Sequence, residues 1–237
     1  MKFWAHRGSH EASGLLENTL PAFELAIAES ADGIELDVHL SADGVPVVFH
    51  DESLQRLTRS QDQRMIAQVD WSSLRAMPLV NGATMPSLAE TLELVAHRLP
   101  VNIEIKDPAA VHAVASILER GAFENVLISS FSASAVHEAC LRLPQLERAW
   151  ISGDSATHPV RAYGNWLPAT MLLRTGASRW HTHGRYVRPG VVSRLARRGI
   201  DTYVWTVNDV AQARCFAGRG VQGVFTDAPG RLRAEFS

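Results

Sequence analysis

Four residues near the start of the chain carry groups that do chemistry together. His6 and Arg7 end a short apolar run, and Glu35 and Asp37 stand two apart in a second run, Ile34-Glu35-Leu36-Asp37-Val38. On a strand, residues i and i+2 point the same way, so the two carboxylates share a face while Ile34, Leu36 and Val38 take the other. A proton shuttle, a fixed cation and an acidic pair are the parts of metal-assisted phosphate chemistry. Ile103-Glu104-Ile105-Lys106 repeats the alternation, putting a third carboxylate beside a lysine. Three converging carboxylates make an oxygen-rich site for one hard divalent cation, Mg²⁺ or Ca²⁺. Arg7 and Lys106 supply positive charge for a phosphate group, the arginine through two oxygens at once.

Taken singly, each feature has a plainer explanation. An isolated Glu-x-Asp is commonly a solvent-facing strand pattern, and Glu104 with Lys106 is commonly a surface ion pair. Their shared position at strand ends is what argues for a site, because in a barrel of alternating strands and helices chemistry gathers there.

The elements that must position these residues alternate along the chain. Strands are expected at 3–5, 33–40, 101–106, 126–131, 148–152, 171–174, 202–207 and 223–226, with helices at 19–30, 87–98, 109–120, 133–143, 189–198 and 210–217. Asn18 or Thr19 can cap the first helix, with Pro21 in its first turn. Eight such runs in 237 residues predict a (β/α)₈ TIM barrel spanning 1–237 as one domain. The alternative, an open doubly wound sheet, lacks a glycine-rich nucleotide fingerprint after the first strand.

Val45–His50 follows too closely for a crossover helix, and Ser41-Ala42-Asp43-Gly44 reads as a turn. An antiparallel hairpin arm after the second strand is therefore expected. A two- or four-residue loop would set Asp37 opposite His50 and bring a second histidine to the acidic pair.

The chain is 46% hydrophobic and 20% charged, with a formal net charge of −2, which argues against a nucleic-acid partner. Arg194, Arg197 and Arg198 read as a solvated helix face, and His10, His39, His97, His112, His137 and His158 as surface or packing residues. Two cysteines, no signal-like leader and no run of about 20 apolar residues lead us to expect a cytoplasmic protein without stable membrane association. Homo-oligomerisation is left open.

With these residues in view, the chain resembles the glycerophosphodiester phosphodiesterases, a (β/α)₈-barrel family of metal-dependent hydrolases. The similarity runs through His6-Arg7-Gly8, Glu17-Asn18-Thr19, Glu35-Leu36-Asp37-Val38, Asp43-Gly44, Val47–Asp51 and Met85-Pro86-Ser87-Leu88. It continues through Glu104-Ile105-Lys106, Ser130-Phe131, Trp205-Thr206-Val207-Asn208 and Thr226-Asp227-Ala228-Pro229. At matching positions the resemblance implies metal ligation by Glu35, Asp37 and Glu104, and acid–base roles for His6 and His50. It implies substrate binding by Arg7, Lys106, Glu17, Asn18, Phe131 and Trp205. The implied reaction is hydrolysis of a small glycerophosphodiester to sn-glycerol 3-phosphate and an alcohol such as choline or ethanolamine. Water and the substrate's own 2-hydroxyl are both open as nucleophile. The chain departs from the family pattern at Leu16, where proline is common, and at Ser132, where aspartate is common. The segment between Asp51 and Pro86 has few aromatic residues, which favours a polar head group over a lipid chain. A related barrel phospholipase and an inactive, binding-only barrel are the alternatives.

Overall fold

The structure, a computed structural model, describes residues 1–11, 13–121, 123, 125–153 and 167–236. Eight parallel strands close on themselves: β1 (Lys2–His6), β2 (Gly33–Leu40), β4 (Val101–Ile105), β5 (Val126–Ser130), β6 (Glu147–Ser152), β7 (Arg179–His183), β8 (Asp201–Trp205) and β9 (Gly223–Thr226). Pairing of β1 with both β2 and β9 completes the circle, so this is the expected TIM barrel. A ninth strand, β3 (Pro46–Val48), lies antiparallel on the upper part of β2, the hairpin arm anticipated from Asp43-Gly44.

Helices cover the outside. They are α1 (Leu20–Ala28), α2 (Trp71–Ala76), α3 (Leu88–Val95), α4 (Ala110–Gly121), α5 (Ala133–Arg142), α6 (Pro168–Thr175), α7 (Pro189–Ala196), α8 (Val210–Gly218) and α9 (Pro229–Phe236). Thr19 is the N-cap residue of α1 without a side-chain cap bond, and Pro21 sits in the first turn. Ser87 and Glu90 form a reciprocal capping box that starts α3. The outward residues of β2, Ile34, Leu36 and Val38, are fully buried against Phe23 and Ala26 of α1 and Leu88, Leu92 and Val95 of α3. The inward residues Trp4, Leu127, Ala149, Tyr203 and Phe225 fill the barrel interior. Gly33 leaves room for Trp4, whose ring would lie 2.6 Å from a Cβ at that position. The site is therefore confined to one end of a packed core.

Two expectations are corrected. Residues 171–174 are not the seventh strand but part of α6, which Pro168 opens and Gly176 closes in a left-handed conformation. Met171, Leu172 and Thr175 are buried at helical spacing. The strand is Arg179–His183, which hides from a hydrophobic pattern because its inward residues include His181 and only Trp180 gives a strong apolar signal. The hairpin register is also shifted by one. Leu40 pairs with Pro46 and Val38 with Val48, because the loop holds three residues. The Gly44 N–H donates to the Ser41 carbonyl at 3.0 Å, and Gly44 has φ +80. That is a turn followed by a left-handed glycine, which gives an odd loop length. Phe49, not His50, stands opposite Asp37, its N–H bonded to the Asp37 carbonyl at 3.0 Å.

After Phe49 the chain leaves the ladder and forms an insertion up to Met85. This insertion has its own apolar cluster, including Leu54, Leu57, Ile66, Val69, Leu74 and Leu79.

Candidate active site

β1, β2 and β4 run parallel in register, with His6 beside Glu35 and Asp37 beside Glu104. Alternation then places Glu35, Asp37 and Glu104 on the inner face, with a carboxylate oxygen of each within 4.8 Å of the others. All three are buried. Burial, followed by the charges of Asp37 and Glu104, pushes the Glu35 carboxyl well above its usual range. Burial acts the same way on Asp37, but Lys106 and Arg7 outweigh it and hold that carboxyl well below its usual range.

The cations are locked onto this cluster. Lys106 Nζ lies 2.8 Å from Asp37 Oδ1 and also contacts Glu104. Arg7 Nε lies 3.1 Å from Asp37 Oδ2, and its Nη1 donates to Glu17 Oε1 at 3.1 Å. Asn18 Nδ2 donates to Asp37 Oδ2 at 2.8 Å. Arg7 and Asn18 both adopt positive φ, 58 and 56, and the Asn18 N–H bonds the Arg7 carbonyl at 2.9 Å. Such conformations persist only where surrounding bonds over-determine them.

The donor set fits a divalent cation. Glu35 Oε1 is buried without a hydrogen-bond partner among the described residues, a costly arrangement for a carboxylate. Hard oxygen donors clustered this closely are what Mg²⁺ and Ca²⁺ require.

Both histidines reach the same cavity, of about 930 Å³, together with Arg7, Glu35, Glu104 and Lys106. His6 Nδ1 is 2.7 Å from Asp227 Oδ1, and His50 Nδ1 is 2.7 Å from Asp51 Oδ1. In each ring the carboxylate fixes one nitrogen and leaves Nε2 to take up or release a proton. Burial pushes the His50 pKa below its ordinary value, and nearby Lys106 and Arg7 add to this against the pull of Asp37. Phe131 and Trp205 meet edge to face, 5.6 Å between ring centroids, and both line the cavity. Glu17 and Asn18 do not line it. They stand behind it and hold Arg7, Arg56 and Asp37.

Several further side chains stand in or against the site without having been singled out from the sequence. Asp227 follows the last strand, and its strand-end position was the available signal. Asp51 is the immediate neighbour of His50. His10, expected to be a surface or packing residue, shares Asp227 with His6, its Nε2 at 3.4 Å from Oδ1. His39, placed in the same surface-or-packing group, is buried with Nε2 at 3.0 Å from the His50 carbonyl and lines the cavity. His181 lies on the cavity wall, where burial holds it well below its usual pKa. His158 lies outside the described residues.

The sequence profile of the glycerophosphoryl diester phosphodiesterase family matches residues 6–231. The chain belongs to that family. A glycerophosphodiester phosphodiesterase from Caldanaerobacter subterraneus subsp. tengcongensis is 30% identical over 96% of this chain and 94% of its own. A glycerophosphodiester phosphodiesterase structure from Thermotoga maritima is 29% identical, with a TM-score of 0.81 and coverage of 99% of this chain and 97% of that one. An Oleispira antarctica phosphodiesterase, solved in complex with the product sn-glycerol-3-phosphate, is 25% identical, with a TM-score of 0.83 and coverage of 99% and 96%. Membership makes this chain a phosphodiester hydrolase and accounts for a barrel with cations, carboxylates and histidines at one mouth.

Proposed function

We propose that this protein hydrolyses small glycerophosphodiesters to sn-glycerol 3-phosphate and an alcohol such as choline or ethanolamine, with one divalent cation held by Glu35, Asp37 and Glu104. The observation that carries this reading is the pair of carboxylate-anchored histidines, His6 and His50, facing one cavity that is also lined by Arg7, Lys106, Glu35 and Glu104. The product bound in the Oleispira antarctica relative supports the glycerol phosphate half of the substrate.

When bound, the cation neutralises charge on the phosphoryl oxygens. Arg7 and Lys106 orient the phosphate, already fixed in place by their bonds to Asp37. One histidine takes the proton of the attacking hydroxyl through Nε2, and the other gives a proton to the departing alkoxide oxygen. Phe131 and Trp205 wall off water on the apolar side. The wall donated by the insertion is polar, with Glu52, Ser53, Gln55 and Ser60, which suits a small hydrophilic alcohol better than an acyl chain. The whole chain acts as one barrel unit in this reading. Cytoplasmic residence belongs to the same proposal and is supported by two unpaired cysteines, Cys140 and Cys215. Among the described residues, no helix is long and apolar enough to cross a membrane.

The test is a panel of glycerophosphocholine, glycerophosphoethanolamine and lysophosphatidylcholine, with glycerol phosphate as readout. Exhaustive chelation should abolish turnover, and Mg²⁺ or Ca²⁺ should restore it. Glu35→Gln should raise the cation concentration needed while leaving the fold intact. Full activity after chelation would remove the metal from the mechanism, and exclusive turnover of the lysolipid would overturn the substrate assignment.

A further inference from the structure

One side chain of the insertion, Arg56, lines the cavity and binds two carboxylates at once. Its Nε donates to Asp51 Oδ2 at 2.6 Å and its Nη2 to Asp51 Oδ1 at 3.1 Å. The same Nη2 donates to Glu17 Oε1 at 2.7 Å, and Nη1 to Glu17 Oε2 at 3.4 Å. These carboxylates serve different halves of the reaction centre. Asp51 holds His50, and Glu17 holds Arg7. We propose that Arg56 is a positioning residue that sets the proton-transferring His50 and the phosphate-binding Arg7 together, a role that rests on the acid–base and phosphate assignments above.

The anchoring of the backbone around Arg56 argues against a purely structural role. Its neighbours Leu54 and Leu57 are buried in the apolar cluster of the insertion, so the segment is held without the guanidinium. The Arg56 side chain itself is 47% exposed, so solvent screens part of the stabilisation its ion pairs supply. Geometry is where it matters. A planar fork can engage two oxygens of one carboxylate and still present N–H groups to a second, which a lysine ammonium cannot reproduce. Burial raises both carboxylates, yet hydrogen bonding from Arg56 leads the influences that bring Glu17 and Asp51 below their usual range. Both thus stay ionised as acceptors for Arg7 and His50. A displacement of about 1 Å in a reacting group costs on the order of 10²-fold in rate, so two loosened partners should be felt in turnover rather than in folding.

The experiment is a pair of double-mutant cycles on the metal-loaded enzyme with glycerophosphocholine. Arg56→Gln should lower kcat by about 10- to 100-fold, as for other residues that orient a functional side chain, and raise KM several-fold, with Tm close to wild type. In an Asp51→Asn background the kcat effect should vanish while the KM effect persists, and in a Glu17→Gln background the reverse should hold. Arg56→Lys should restore the charge but only part of kcat. Unchanged kcat and KM in Arg56→Gln, or effects that add fully in both backgrounds, would overturn the proposal. His50→Ala in the same assay tests the underlying reading separately. If that variant keeps normal turnover, the acid–base reading falls, and Arg56 is judged by calorimetric binding of sn-glycerol 3-phosphate. Several-fold weaker binding in Arg56→Gln supports it, and unchanged binding refutes it.

Discussion

His6 and His50 face one cavity, but their anchors are built differently. Asp227 is 221 residues from His6 and reaches it only because β9 closes the barrel against β1. Asn208 donates to its other oxygen at 2.6 Å, the Asp227 N–H returns to Asn208 Oδ1 at 2.9 Å, and His10 stands at 3.4 Å. Asp51 is the chain neighbour of His50 and depends for its orientation on Arg56. The His50–Asp51 pair is also more open, with side-chain exposures of 33% and 24% against 16% and 20% for His6 and Asp227. One dyad is fixed by the scaffold and the other by a local clamp in an insertion. One chemical motif is thus held by barrel closure in one place and by a bridging arginine in another.

The largest effect expected is from removing either imidazole. General acid–base catalysis contributes about 10²- to 10⁴-fold, so His6→Ala and His50→Ala should each lower kcat by at least about two orders of magnitude. Affinity should change much less, because Arg7 and Lys106 remain. A nitrophenyl ester needs little protonation of its leaving group, so the variant whose loss shrinks on that ester has lost the acid. Near-normal turnover in both variants would dissolve the two-histidine reading.

A smaller effect is expected from the anchors. Asp227→Asn and Asp51→Asn should each cost about 10- to 100-fold in kcat, and their dependence on Arg56 should differ. Adding Arg56→Gln should further impair kcat in the Asp227 variant and leave kcat of the Asp51 variant nearly unchanged. Equal responses in steady-state kinetics would erase the distinction between scaffold and clamp.

The smallest effect is on stability against pH. Burial raises Asp227, but bonds from His10 and His6 carry it far below the usual carboxylate range; Asp51 is lowered too. A carboxyl whose pKa is depressed on folding contributes stability that is present above its unfolded value, near 4, and lost as pH falls toward its folded value. The stability advantage of wild type over Asp227→Asn should therefore shrink between about pH 5 and pH 2, and more steeply than its advantage over Asp51→Asn. Urea denaturation across that range measures both, and a steeper loss for Asp51 would reverse the ranking of the two anchors.

The sequence by itself determined the inner and outer faces of β2 and β4, because period-two alternation is a local property. That alternation set Ile34, Leu36 and Val38 under helices and turned Glu35, Asp37, Glu104 and Lys106 to the inner face. The barrel class follows from the regular succession of strands and helices, which survives the exchange of one apolar helix for one polar strand. Arg179–His183 was hidden because a strand that turns a histidine inward loses the apolar signature, while the apolar Met171 and Leu172 belonged to a helix. The hairpin was legible from Asp43-Gly44, but its register hung on one loop residue, and the turn geometry decides that count. Tertiary structure alone decided that Asp227 meets His6, since barrel closure joins the first strand to the last. It alone decided that Arg56 bridges Asp51 and Glu17, since the insertion, packed around its own apolar cluster, carries that side chain to both carboxylates. Both contacts join residues far apart in the chain or outside any regular element, where no periodic pattern constrains which groups will touch.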